Sequence, residues 1–122
     1  MAKTILIVDD SSSLRVVVSI ALKSAGYDVI EACDGKDALT KLNGQKIHMI
    51  ISDVNMPNMD GISLVKAIKQ LAAYKFTPII MLTTESQDEK KKQGQEAGAK
   101  AWVLKPFKPD QLLGVVQKLV LP

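Results

Sequence analysis

Met49-Ile50-Ile51-Ser52-Asp53-Val54-Asn55-Met56-Pro57-Asn58-Met59-Asp60-Gly61 is an apolar run that ends on a carboxylate and then on a turn unable to continue as a strand. Three other apolar runs end in polar residues of kinds that could act with Asp53. Thr4-Ile5-Leu6-Ile7-Val8 stops at Asp9 and Asp10, Pro78-Ile79-Ile80-Met81-Leu82 stops at Thr83, and Ala101-Trp102-Val103-Leu104 stops at Lys105. Runs so short and continuous read as central parallel strands covered on both faces by helices. In such sheets the ligand site lies outside the carboxyl ends of the strands. An acid pair, a third acid, a hydroxyl and a lysine would therefore converge from distant parts of the chain.

The rest of the sequence supplies the helices. Ser11-Ser12-Ser13 offers an N-cap, and Leu14, Val17, Val18, Ala21 and Leu22 recur at helical spacing until Gly26. Tyr27 to Ala32 reads as a strand, Asp34 caps a helix running through Leu42, and the next strand spans Ile47 to Ser52. Asp60-Gly61 opens a helix whose Leu64, Val65, Ile68 and Leu71 face the core, and Thr77-Pro78 begins the following strand. Ser86 caps a helix from about Gln87 to Ala97 that is poor in large apolar residues, so its packing is expected to be the weakest of the fold. Pro109 starts the last helix, with Leu112, Leu113, Val116, Leu119 and Val120 facing inward. The pattern is βα repeated five times, with right-handed crossovers placing helices on both faces.

Composition narrows the classes of function. The 122 residues fit one compact domain, residues 1–122, with no second domain to carry an output. No stretch approaches the roughly 18 consecutive apolar residues of a membrane span. Met1-Ala2-Lys3 runs into a strand rather than a signal peptide, so a soluble cytoplasmic monomer is expected, without a membrane partner. Cys33 is the single cysteine, excluding an intramolecular disulfide, and nothing nearby activates it. The net charge of +3, from 16 Lys and Arg against 13 Asp and Glu, is modest. Lys90-Lys91-Lys92 lacks the interleaved aromatics and arginines of a nucleic-acid groove and reads as a solvated helix face or a docking surface for protein. His48 reads as structural, and the thioethers of Met56 and Met59 do not suit a hard cation.

The converging acids call for a metal. Two like charges about 4 Å apart repel by roughly 4 kcal/mol at an effective dielectric near 20. Asp9, Asp10 and Asp53, with a backbone carbonyl from the following loop, most simply at Asn55, form an all-oxygen set suited to Mg²⁺. With that charge offset, a carboxylate oxygen of Asp53 can attack phosphorus, while Lys105 supplies a cation and Thr83 a hydroxyl donor.

The ordered set of acid pair, D-x-x-M-P-x-M-D-G loop, Thr83 and Lys105-Pro106 resembles the receiver domains of bacterial two-component response regulators, especially the single-domain chemotaxis type. The resemblance covers essentially the whole chain. It implies an α/β flavodoxin-like (βα)5 three-layer sandwich with a five-stranded parallel sheet in the order 2-1-3-4-5. It implies Asp53 as phosphoacceptor, Asp9, Asp10, Asp53 and the Asn55 carbonyl as Mg²⁺ ligands, Thr83 as switch hydroxyl and Lys105 as the phosphoryl-binding cation. It also implies a cis bond at Lys105-Pro106. The implied partners are a sensor histidine kinase as phosphodonor, the flagellar motor switch as target and a phosphatase. Two further positions in the family set the lifetime of the acyl phosphate. Here they are Asn55 and Glu85, whose polar groups can order an attacking water, so a short-lived phosphoform is expected.

Trp102 departs from the Tyr or Phe usual at the aromatic switch position, and Thr84 is larger than the residue often found beside the switch hydroxyl. Within the family, a stand-alone phosphorelay shuttle or phosphate sink would share the whole site. A small phosphohydrolase with an aspartyl-phosphate intermediate would use similar acids, yet Asn55 stands where it would need a second acid. A flavin carrier on this fold would place its phosphate against Asp9 and Asp10.

Overall fold

The computed structural model describes residues 2–54, 56, 59–83, 88–105 and 107–121, with the side chains of residues 88–91 and 94 outside the description. Ten elements alternate: β1 (Thr4–Val8), α1 (Ser12–Ser24), β2 (Asp28–Ala32), α2 (Gly35–Lys41), β3 (Met49–Asp53), α3 (Gly61–Lys69), β4 (Ile79–Thr83), α4 (Asp88–Ala97), β5 (Ala101–Leu104) and α5 (Pro109–Leu119). All neighbouring strands pair in parallel, in the order β2-β1-β3-β4-β5. This is the doubly wound order expected from the resemblance. It puts β5 at an edge, so β1, β3 and β4 are the interior strands, and the expectation of four central runs is corrected to three.

Alternation along the strands splits the core in two. Leu6, Val8, Ile50, Ile79 and Met81 pack with Ala38 of α2 and Leu64, Val65 and Ile68 of α3. Their neighbours Ile5, Ile7, Met49, Ile51, Ile80 and Leu82 pack with Val18 and Leu22 of α1 and Leu112 and Val116 of α5. Both faces of the sheet are thereby covered, as continuous apolar strands require.

Local chemistry sets the helix ends. The Ser11 side chain accepts from Leu14 N–H, Asp34 from Asp37 N–H and Asp60 from Ser63 N–H. Ser86 lies outside the described residues. Gly26, at φ +94°, closes α1 in the left-handed region. Lys23, Lys41, Lys66, Lys69 and Lys118 occupy last turns, where they complement the helix dipoles. The last turns lie at the end of the sheet opposite Asp53, so these five lysines collect there, while Lys36, Lys105 and Lys108 stand at the carboxyl end. No helix among the described residues is long and apolar enough to cross a membrane.

Three expectations shift. β3 reaches Asp53 because its ladder with β4 continues through Asp53 and Leu82. On α1 the buried stripe is Val18, Ser19 and Leu22, which turns the helix so that Val17 is 51% exposed beside Val16 and Ile20. Leu71 packs on the core from just beyond α3. In α4 none of the described side chains is buried, and Ala97 is half-buried against the core, in keeping with its apolar-poor sequence.

His48 is structural, as its isolation suggests. Its Nδ1 accepts from Thr4 N–H at 3.0 Å, and its backbone N–H donates to Thr4 O at 2.8 Å. Burial, with Lys46 and Lys3 nearby, lowers its pKa. A proton on Nδ1 abolishes the acceptor, and the unfolded chain binds that proton more readily. The contribution is intact above the ordinary histidine pKa and is lost as pH falls through the lowered folded value. Urea unfolding from about pH 7.5 down to about pH 5 should therefore show stability falling, with a shallower fall in His48→Gln, whose amide oxygen can still accept.

Candidate functional site

Register brings the predicted residues to one edge. Val8 lies opposite Ser52, so Asp9 comes level with Asp53; Asp53 pairs with Leu82, and Thr83 with Leu104, so Thr83 and Lys105 follow one step beyond. Carboxylate oxygens of Asp9, Asp10 and Asp53 lie within 4.8 Å of one another. Asp9 is buried and Asp10 exposed. The Lys105 ammonium sits between the two buried acids, 3.1 Å from Asp9 Oδ2 and 3.3 Å from Asp53 Oδ1.

Each of the two buried carboxylates is also held by a backbone donor. Asp9 Oδ1 accepts from Ser11 N–H at 2.8 Å, and Asp53 Oδ1 from Val54 N–H at 2.8 Å. The backbone N–H of Lys105 donates to Thr83 O at 2.7 Å, fixing the root of the lysine on β4. Burial raises the pKa of Asp53; the Lys105 ammonium opposes that rise, and the Asp9 carboxylate adds to it.

Alternation assigns the groups to faces. Asp9, Asp53 and Lys105 follow Ile7, Ile51 and Val103 on the α1/α5 side. Thr83 follows Met81 on the side of α3 and α4, where Trp102, half-buried and paired with Met81, also packs. Thr83 is fully buried. A group bound above Asp53 would therefore meet Lys105 on one side of the sheet and Thr83, in line with Trp102, on the other.

Two contributors were missed in the sequence. The Arg15 guanidinium donates to the backbone oxygen of Asp9 and pairs with Glu31 at 3.4 Å, tying α1 to the ends of β1 and β2. An arginine early in a helix carries no distinctive signal of that contact. Gly61, read as a helix opener, donates its N–H to Val54 O at 2.7 Å, and a Cβ there would fall 2.1 Å from Asp53 O. The glycine directly after Asp60 was the available signal. Asn55, Thr84, Glu85 and Pro106, and the side chains of Lys90 and Lys91, lie outside the described residues; Lys92 is exposed. Cys33 is exposed, and partial desolvation together with Asp34 and Asp37 raises its thiol pKa, which disfavours the reactive thiolate.

The arrangement has clear relatives. Vibrio cholerae chemotaxis protein CheY4 superposes with a TM-score of 0.94 at 49% identity, covering 98% of this chain and 99% of that one. Protein PilG of Pseudomonas aeruginosa is 36% identical over 93% of this chain and 84% of its own length. The Bacillus subtilis alkaline phosphatase synthesis transcriptional regulatory protein PhoP is 38% identical over 98% of this chain, which spans only 49% of that relative. The family model for the response regulator receiver domain matches residues 5–117. With the acids, hydroxyl and lysine on the carboxyl edge of a 2-1-3-4-5 sheet, the chain belongs to the response regulator receiver domain family.

Proposed function

We propose that this receiver is a phosphorylation-controlled protein switch of the chemotaxis type, with Asp53 as its phosphoacceptor. The observation that carries the reading is the Lys105 ammonium lying between Asp9 and Asp53 at the mouth of the sheet. A carboxylate oxygen of Asp53 forms a bond to the phosphorus of a histidine kinase's phosphohistidine as the P–N bond breaks, and the imidazole leaves with the bonding pair and takes up a proton. Lys105 shifts from the carboxylates toward the phosphoryl oxygens, and Thr83 donates its hydroxyl from the other side. This is stoichiometric phosphotransfer, followed by self-catalysed hydrolysis in which the polar side chains of Asn55 and Glu85 would order the attacking water.

Three carboxylates and one ammonium leave the site with two net negative charges. Mg²⁺ fits that charge and the all-oxygen donor set, with Asp9, Asp10, Asp53 and the Asn55 carbonyl as its holders; when bound it offsets the negative charge around the transferring group. The exposed apolar stripe of Val16, Val17 and Ile20 on α1, the helix that follows Asp9 and Asp10, supports docking of a kinase helix.

Similarity to CheY4 supports an output through protein contact, with the flagellar motor switch as target and a phosphatase resetting the signal. Movement of Thr83 would reach that surface through Trp102 and the apolar-poor α4. The sole tryptophan makes this testable. Mg²⁺ with beryllofluoride should change Trp102 fluorescence in the native chain and strengthen binding of a motor-switch peptide. Unaltered fluorescence would remove Trp102 from the switch, and unaltered peptide binding would favour the phosphorelay shuttle.

A further inference from the structure

At the end of the domain opposite the carboxylates, Phe76 stands 81% exposed in the connection between α3 and β4. The loop carrying it is pinned. Lys69 Nζ donates to Lys75 O at 3.0 Å and to Thr77 O at 3.1 Å, and Thr77 N–H donates to Tyr74 O at 3.0 Å. The Tyr74 hydroxyl in turn donates to Gln45 O at 2.8 Å and accepts from Gly44 N–H at 2.9 Å. A scattered exposed apolar residue needs no explanation. This one is a fixed wall between two clefts.

One cleft, of about 260 Å³, is bounded by Ile47, Tyr74, Phe76 and Leu121 among others. The other, of about 300 Å³, is bounded by Phe76, Gly98 and three lysines, Lys69, Lys75 and Lys100. Lys69 lies against Gly98, where a Cβ would come within 3.0 Å of its Cε, and Lys75 Nζ stands 5.7 Å from the centroid of the Phe76 ring. The lysines of the helix ends complement dipoles, but Lys75 and Lys100 lie outside the helices and have no such role. Burial and then the Lys100 charge lower the pKa of Lys69, so the cluster works against its own ionisation. Among the described residues no acid lines this cleft.

We propose that this end of the domain docks an acidic peptide segment of a partner protein, with carboxylates among Lys69, Lys75 and Lys100 and a neighbouring apolar side chain against Phe76 in the adjoining cleft. Side-by-side clefts on one surface suit side chains two residues apart in an extended chain, since immediate neighbours point to opposite faces, whereas a bilayer is a plane that would leave both unfilled. The charge of Lys69, Lys75 and Lys100 in one cleft also orients an acidic partner toward it. The docked segment lies at the far end from Asp53, so the receiver could be tethered and phosphorylated at once, raising its local concentration beside its phosphodonor.

The test is fluorescence polarisation of the full chain with a labelled peptide that carries glutamate and leucine two residues apart, separated by serine, so that both fall on one face of the extended chain. Binding should weaken with salt, persist unchanged with Mg²⁺ and beryllofluoride, and fall by about tenfold or more in Phe76→Ser and in the pair Lys75→Glu with Lys100→Glu. The charge-reversed pair should instead bind a matching peptide of lysine and leucine, which shows that the variant is folded. Equal binding of the acidic peptide by the native and charge-reversed chains would overturn the proposal. So would adsorption to phosphatidylglycerol vesicles with no binding of the peptide.

Discussion

Asp53→Asn should leave the chain folded and cut phosphoryl uptake by about a thousandfold or more, because the isosteric amide offers no nucleophilic carboxylate. The same substitution should stabilise the metal-free protein. Asp53 is buried within 4.8 Å of carboxylate oxygens of Asp9 and Asp10, and the one ammonium between the buried acids also serves Asp9. Removing its charge removes repulsion that a stable fold has no use for, as expected of a site kept for chemistry. The urea midpoint in EDTA should rise, and the gain should shrink when Mg²⁺ is added to both proteins. Phosphate uptake in the variant would move the acceptor to another residue. A lowered midpoint would mean that the Asp53–Lys105 pair outweighs the repulsion.

Gly61→Ala should lower stability by about 3 kcal/mol or more, the upper range for overpacking, because the obstacle is backbone. The new Cβ would fall 2.1 Å from Asp53 O, 2.9 Å from Val54 Cα and 2.8 Å from Met81 Cε. Met81 can move, but Asp53 and Val54 are locked in the ladder with β4 through Val54 N–H to Leu82 O at 3.1 Å. Any relaxation displaces the phosphoacceptor itself, so phosphoryl uptake should drop along with the denaturation midpoint. Gly114 offers the contrast: a Cβ there meets nothing within 4 Å, so Gly114→Ala in mid-helix should be tolerated or stabilising by up to about 1 kcal/mol. Equal effects at the two positions would show that close approach at Gly61 is not what matters.

Much of this was legible because apolar runs with sharp polar ends leave little freedom. β1 and β5 fall on their expected boundaries, since Asp9-Asp10 and Lys105 end their apolar runs abruptly, although β5 proves to be an edge strand with Leu104 exposed. The carboxyl-end rule then placed Asp9, Asp53, Thr83 and Lys105 together before any geometry was known. What escaped depends on contacts between elements. Val17 has the right spacing for the core, but the rotation of α1 is set by what the sheet and α5 accept, and Ser19 takes the buried position. Arg15 reaches back to a carbonyl, an acceptor present at every residue and so invisible in a sequence. Gly61 as a helix opener and Gly61 as the only side chain small enough to pass Asp53 O look identical until β3 and α3 are packed.

The central claim, that Asp53 is a metal-assisted phosphoacceptor, is tested most directly by intact-mass measurement of the native chain after incubation with acetyl phosphate. With Mg²⁺ the account predicts gain of a single phosphoryl group, decaying with time and labile to base, and loss of that gain in EDTA. Uptake that is indifferent to EDTA, or steady turnover of a phosphomonoester without a phosphorylated chain, would contradict it.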